Sequence, residues 1–232
     1  MRTPTGTTHD LRTSGGLAAL YLAAAYLAAI AYFLIGIDYP SVVDPLDKIA
    51  LFARHLRGLQ LAYLAIYVVF GFVLLVLAWS LHLRLRGGAP ATMRLATSVG
   101  LVWGGLLVAG GMVMNVGMET VVALHAADPS QAATVWLAIE TVTSGMTGGN
   151  GEVLGGLWTL LVSIAAWRGR SLPIPLVVVG TVAGAAGLAS ALPGLSTLVA
   201  AFGLTQLVWF VGLGVVLLRR ERPRARPLGV VG

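Results

Sequence analysis

Five apolar runs of about twenty residues dominate this chain and leave it few possible folds. They cover 16–37, 58–81, 95–117, 176–192 and 195–218, and a sixth, shorter and more polar, covers 153–167. A helix rising about 1.5 Å per residue needs roughly 20 apolar residues to cross the hydrocarbon of a bilayer. Inside lipid the backbone must satisfy its own hydrogen bonds, which a single segment achieves only as a helix. The residues between the runs are too few for a separate soluble domain. The charge content agrees: 10% of the 232 residues are charged, against roughly a quarter in a soluble domain. The expectation is one integral membrane domain over 1–232. It is all-α, a polytopic six-transmembrane-helix bundle with crossings at about 16–37, 58–81, 95–118, 151–168, 173–192 and 195–218.

The basic residues set the threading. Of fifteen Lys and Arg, two precede the first crossing, three lie between the second and third, two between the fourth and fifth, and five follow the sixth. Only Lys48, Arg54 and Arg57 lie between the first and second. Basic loops stay on the cytoplasmic side, so both termini are expected in the cytoplasm, with the chain in the cell (plasma or inner) membrane. Asp38, Asp44, Asp47, Glu119, Asp128 and Glu140 then fall outside. The mostly polar start, with Arg12 flanking an apolar run longer than a signal core, reads as a retained first helix. The pI of 10.3 therefore records orientation. A nucleic-acid binder would gather its basic residues on one face, and nucleic acid is not an expected partner. The Arg-rich tail at 219–232, "RRERPRAR", is placed against anionic lipid headgroups.

Several chemistries are excluded. The chain has no cysteine, so disulfides, thiolate metal sites and cysteine nucleophiles are out. His55, His125 and Asp128 share one side, but no histidine has the spacing of a metal ligand. No nucleophile elbow and no HExxH pattern is present. No catalytic residue, metal or cofactor is expected.

The outer side is decorated. Asp44-Pro45 starts a short amphipathic turn on the outer interface between the first two crossings. Asp128-Pro129 supplies a cap and first-turn proline for a helix at about 130–147. On a helical wheel Val135, Trp136, Ile139, Val142 and Met146 share one arc, with Thr134, Glu140, Thr141 and Ser144 opposite. That pattern predicts an amphipathic outer-face helix between the third and fourth crossings, Glu140 turned to water. The stretch 140–158, "ETVTSGMTGGNGEVLGGLW", then raises the question of its glycines. No strand precedes "GGNGE" and no Lys-Ser/Thr follows, so it is not a phosphate loop. It is a joint between two helices, with Glu152 suited to the positive end of the next helix. A broken-helix site of the transporter kind is the alternative.

Polar residues recur at helical spacing inside the apolar runs: Gly111, Asn115 and Glu119; Glu152, Gly156, Thr159 and Ser163; Gln60, Tyr63 and Tyr67; and Gln206. Polar groups facing lipid are costly, so these stripes should face the bundle interior or one another. They either hydrogen-bond between helices and do nothing more, or line an outward-facing cavity between the second, third, fourth and sixth crossings. The second reading makes Glu152, Glu119, Asn115, Gln60, Tyr63, Thr159 and Gln206 the ligand-binding candidates, with Glu119 and Glu152 near the mouth. The pairs Gly100/Gly104, Gly151/Gly155 and Gly180/Gly184 have the small-residue spacing of close helix contacts and are expected to pack the bundle.

From Glu152 the chain reads "EVLGGLWTLLVSIAAWRGRSLPIPLVVVGTVAGAAGL". The elements Glu152, Gly156-Leu157-Trp158, Trp167-Arg168, Leu172-Pro173 and Ala183-Gly184 resemble a family of bacterial six-helix membrane proteins catalogued as domain of unknown function forty-three eighty-six. Where that family has a proline and a glycine after the Trp, this chain has Leu161 and Ser163. The family's acidic position early in its second helix has no counterpart near Gln60. The resemblance implies the fold and threading but no activity, and it raises Glu152 above Glu119 and Glu140.

Three function classes stay open: binding or transport of a small molecule through the outward cavity; an accessory or structural subunit, or homo-oligomer, packing through its glycine faces; and a membrane enzyme acting on a lipid-like substrate. Clustered acid, base and nucleophile are missing, which disfavours the enzyme.

Overall fold

A computed structural model describes residues 5–148 and 151–219, with side chains from Thr13 onward, and shows only helices and short connections among them. The Arg-rich tail beyond Arg219 and two of the joint residues, Gly149 and Asn150, lie outside the described residues. Helix α1 (Thr5–Ala29) runs on into a π-helical turn at Ile30–Gly36. Helix α2 (Pro45–Tyr63) passes through a second π-helical turn, Leu64–Val69, into α3 (Phe70–Leu85). Then follow α4 (Pro90–His125), α5 (Pro129–Thr147), α6 (Val153–Arg168), α7 (Ile174–Ser190) and α8 (Leu198–Leu218). Among the described residues four helical segments are long and apolar enough to cross a membrane, 13–36, 45–85, 90–125 and 198–218; α6 and α7 are apolar but shorter.

The predicted caps are in place. Asp44 Oδ1 accepts from the backbone N–H of Leu46 (2.8 Å) and Asp47 (3.2 Å) ahead of Pro45. Asp128 Oδ1 accepts from Gln131 N–H (2.9 Å) ahead of Pro129. Each satisfies donors that a helix start leaves free. Asp44 does not start a short separate turn, however. The helix it caps continues to Leu85, 41 residues in all, with only His55 departing from helical angles (φ −122°, ψ 18°). The apolar run at 58–81 is therefore the middle of a longer element. The charged residues before it ride one face of the same helix, whose other face buries Ile49, Leu51, Phe52 and Leu59.

Three long elements lie side by side. The α2–α3 helix runs antiparallel to α4: Ala78 meets Gly100, Gly71 meets Gly104, and Val68 meets Gly111. The α5–α6 segment runs antiparallel to α4 on another side. Ile139 packs on Gly117, Thr147 on Gly110, Trp103 on Gly155, and Arg168 reaches Thr92. Helices α1 and α8 pair through Gly16 and Gly214, and α7 closes the ring between α6 and α8. The tightest crossings use glycine, since only a missing side chain lets backbones come so near in an apolar medium. A β-carbon on Gly156 would stand 2.7 Å from Leu188 N and 2.9 Å from Gly184 O. Gly104 and Gly184 thus serve contacts within the bundle, as expected.

The described residues form two hydrophobic cores. One is shared by α1, α3, α4, α6, α7 and α8 and centres on Trp103, Trp158, Trp209 and Phe210. The other sits at the end farther from Arg84 and Arg168 and joins α2, the last turns of α4, and α5 through Ile49, Phe52, Leu59, Met118, Val121 and Trp136. Phe52 and Trp136 meet edge to face with centroids 4.5 Å apart. Helix α5 differs from its wheel. Its buried residues are Ala132, Trp136 and Thr143, while Val142 is 56% exposed. Packing against α2 and α4 together rotates the helix so that Thr143, not Val142, faces inward, while Thr134 and Thr141 stay exposed.

Candidate functional site

The break between α5 and α6 has a local cause. Gly148 takes φ +93° and ends α5, its N–H bonded to Ser144 O, a left-handed stop that favours glycine. Gly151 takes φ +138°, and a β-carbon there would collide with Ala191 backbone. Glu152 then occupies the residue before α6, but its side chain does not cap the helix. Its backbone N–H donates to Ser190 Oγ (3.0 Å), which itself donates to Gly187 O (2.6 Å). The carboxyl group folds over Gly148 instead, where a β-carbon would lie 2.6–2.7 Å from its three terminal atoms. Among the described residues, the Glu152 carboxylate has neither an ion-pair nor a hydrogen-bond partner.

A cavity of about 150 Å³ opens beside it. Tyr26 and Ala29 come from α1, Ile66 and Tyr67 from the π-helical turn, Phe70 from α3, Trp103 and Leu107 from α4, and Thr147 from α5. The π turn matters here. A π turn adds a residue to a helical turn and re-aims side chains, often at functional positions. Tyr21 fixes this one by donating its hydroxyl to Ala65 O at 2.8 Å. Tyr67 stacks on Tyr63 at 5.2 Å and shares a hydrogen bond with Thr147.

Tyr67 and Thr147 also wall a second cavity of about 130 Å³, which reaches Tyr39, Tyr63, Thr143 and Glu140. A third, about 90 Å³, continues from Glu152 and Trp103 along the joint itself. In the second cavity Glu140 is not turned to water. It forms an ion pair with Lys48 of α2, the two side chains 27% and 14% exposed. The Lys48 ammonium also stands 5.5 Å from the Tyr39 ring centre. Tyr39 shares a hydrogen bond with Tyr63, and burial, with Glu140 nearby, pushes its phenol above its ordinary range. It therefore remains a neutral hydroxyl around pH 7.

The expected site is brought together only in part. Glu152 and Tyr63 line adjoining cavities. Glu119 is exposed and stands at neither cavity. Gln60 is half-buried and lines none of the three, and neither does Asn115, whose buried Oδ1 lacks a partner among the described residues. Thr159 and Gln206 are fully buried in the main core, where Thr159 Oγ1 donates to Gln206 Oε1 at 3.0 Å. That pair is an interhelical hydrogen bond. The walls come from α1, the π turn, α4 and α5, and none from the last helix. The residues missed were Tyr26, Trp103, Thr147 and Tyr39, together with Lys48 as partner to Glu140. Tyr26 carried a signal, as one of three polar-tipped rings, with Tyr21 and Tyr32, in the first apolar run. Among the described residues no three or more His, Cys, Asp or Glu side chains gather as a metal site would require. No protein family, no curated protein and no solved structure matches the chain.

Proposed function

We propose that this is a six-crossing membrane protein, both termini cytoplasmic, that binds or transports a small molecule in the cavity beside Glu152. Apolar side chains such as Leu27, Phe72, Leu101, Val178 and Val208 are more than 45% exposed around the bundle, more than a water-facing surface carries. The six crossings would be α1, α2–α3, α4, α6, α7 and α8. With 16 residues in α6 and about 1.5 Å per residue, Glu152 stands about 24 Å from the Arg168 end. A hydrocarbon core is about 30 Å thick, so Glu152 falls just inside its outer edge, with the α2–α4–α5 core above it. This reading keeps α5 on the outer face but upright against α4.

One observation carries the binding reading: the Glu152 carboxyl group has no ion-pair or hydrogen-bond partner among the described residues and borders a cavity large enough for a guest. An isolated charge there is costly, and intramembrane ionisable residues that persist mark ligand or ion paths. Native mass spectrometry of the protein in lipid particles drawn from its own membrane tests it. A reproducible adduct of one small molecule per chain is expected, lost in Glu152→Gln. Recovery with a stoichiometric second protein and no adduct would make the chain a subunit instead.

A further inference from the structure

We propose that the occupant of the Glu152 cavity is a small organic ammonium cation, held between the carboxylate and the surrounding aromatic rings. This rests on the cavity being a binding site and adds the chemical class of what it binds. Among the described lining residues Glu152 is the one acidic side chain, and no Lys, Arg or His joins it there. A cationic guest supplies the counter-charge that lets this carboxyl group ionise away from water, which a neutral guest cannot, and an anion would be repelled by it. Tyr26, Tyr67, Phe70 and Trp103 make up half of the remaining lining residues. Aromatic rings attract cations through their negative faces, and alkylammonium groups combine that attraction with apolar burial.

A bare metal ion fits less well. Hard cations need about six or more oxygen ligands, whereas this wall offers one carboxylate, a few hydroxyls and apolar carbon. The volume of about 150 Å³ suits a benzene-sized guest, which admits an ammonium with a handful of carbons. The protein itself supplies the precedent one cavity away. There the Lys48 ammonium is paired with Glu140 and stands by the Tyr39 ring, the same trio of carboxylate, tyrosine and ammonium. The two nests are joined through Tyr67 and Thr147, which wall both. Glu152 has the carboxylate and the tyrosines, while the chain's own ammonium is committed to Glu140.

The test uses three probes of one shape and different charge: tert-butylammonium, tert-butanol and pivalate. Each is titrated onto the full chain in lipid nanodiscs, with the thermal unfolding midpoint and calorimetry as readouts. The ammonium should bind at least about tenfold tighter than the alcohol, and pivalate should not bind. Glu152→Gln should abolish the preference for the ammonium. Tyr67→Leu, which keeps Glu152, should weaken the ammonium about five- to thirtyfold and the alcohol less. If Glu152→Gln does not fold, the three probes on the wild-type chain and on Tyr67→Leu decide the matter. Equal binding of alcohol and ammonium, or a preference that survives Glu152→Gln, overturns the ligand class. If no probe binds while the native adduct persists, the class is wrong and the cavity reading stands; if the adduct is also absent, both fall.

Discussion

Gly145 and Gly148 lie three residues apart at the end of α5, and replacing each by alanine should have opposite effects. Gly145 is helical and exposed, and a β-carbon there meets nothing within 4 Å. Alanine in place of glycine within a helix gains about 0.5–1 kcal/mol from the smaller loss of backbone freedom on folding. Gly148 has φ +93°, where any residue with a β-carbon costs about 1–2 kcal/mol. Its β-carbon would also stand 2.6–2.7 Å from the Glu152 carboxyl atoms. Those atoms end a flexible side chain, so they would move, and the penalty would fall on ligand affinity rather than stability. For a chain of this size about 1 kcal/mol corresponds to roughly 2–4 °C in midpoint. In nanodisc thermal melts Gly145→Ala should rise by about 1–4 °C and Gly148→Ala should fall by about 2–8 °C. Gly148→Ala should also lose the small-molecule adduct, which Gly145→Ala retains. Midpoints that shift in the same direction would refute the left-handed stop, and an unchanged adduct in Gly148→Ala would refute its role in seating Glu152.

Three further outcomes follow from the packing. Gly156→Ala drives a β-carbon into the α7 backbone at 2.7 Å and should destabilise by about 1–3 kcal/mol, whereas Gly105→Ala, open on all sides within 4 Å, should be neutral or stabilising in the same melts. Glu140→Gln leaves the Lys48 ammonium half-buried without its partner; a double-mutant cycle with Lys48→Met should give a coupling between the roughly 1 kcal/mol of exposed pairs and the roughly 3–5 of buried ones, and zero coupling would mean the pair is incidental. Thr159→Val removes the hydrogen bond to Gln206 and should cost about 0.6 kcal/mol, the usual worth of such bonds between membrane helices, with ligand binding unaffected. A loss of binding there would return Thr159 and Gln206 to the site.

What was legible in the sequence follows from which signals are local. Apolar run length, Asp44-Pro45 and Asp128-Pro129 specify helices and their starts within a few residues of themselves, and the glycine pairs mark close contacts whatever the partner. The ends of the helices were less legible. The mixed stretches 45–57 and 118–125 flank apolar runs without ending a helix, because a second core of Ile49, Phe52, Met118 and Trp136 carries the helix onward. The site was half legible. Glu152 and Tyr63 stood out as polar residues in apolar surroundings, but helical spacing says which residues share a face and not which helix that face meets. Glu119 shares a stripe with Gly111 and Asn115 and yet ends up exposed, because the stripe lies along the chain while α4 is covered on that face only lower down. The pairing of Lys48 with Glu140 spans 92 positions, and no local pattern announces it.

The two cores share a consequence in mechanics. Three long members run side by side, and two of them pass from one core to the other as continuous helical segments: α4, and α2–α3 through its π-helical turn. The third is cut at Gly148–Glu152, at the level where the cavities replace solid packing. A beam cut on one side bends about the uncut ones. On these mechanics, tilting the distal core relative to the bundle is expected to change the space beside Glu152.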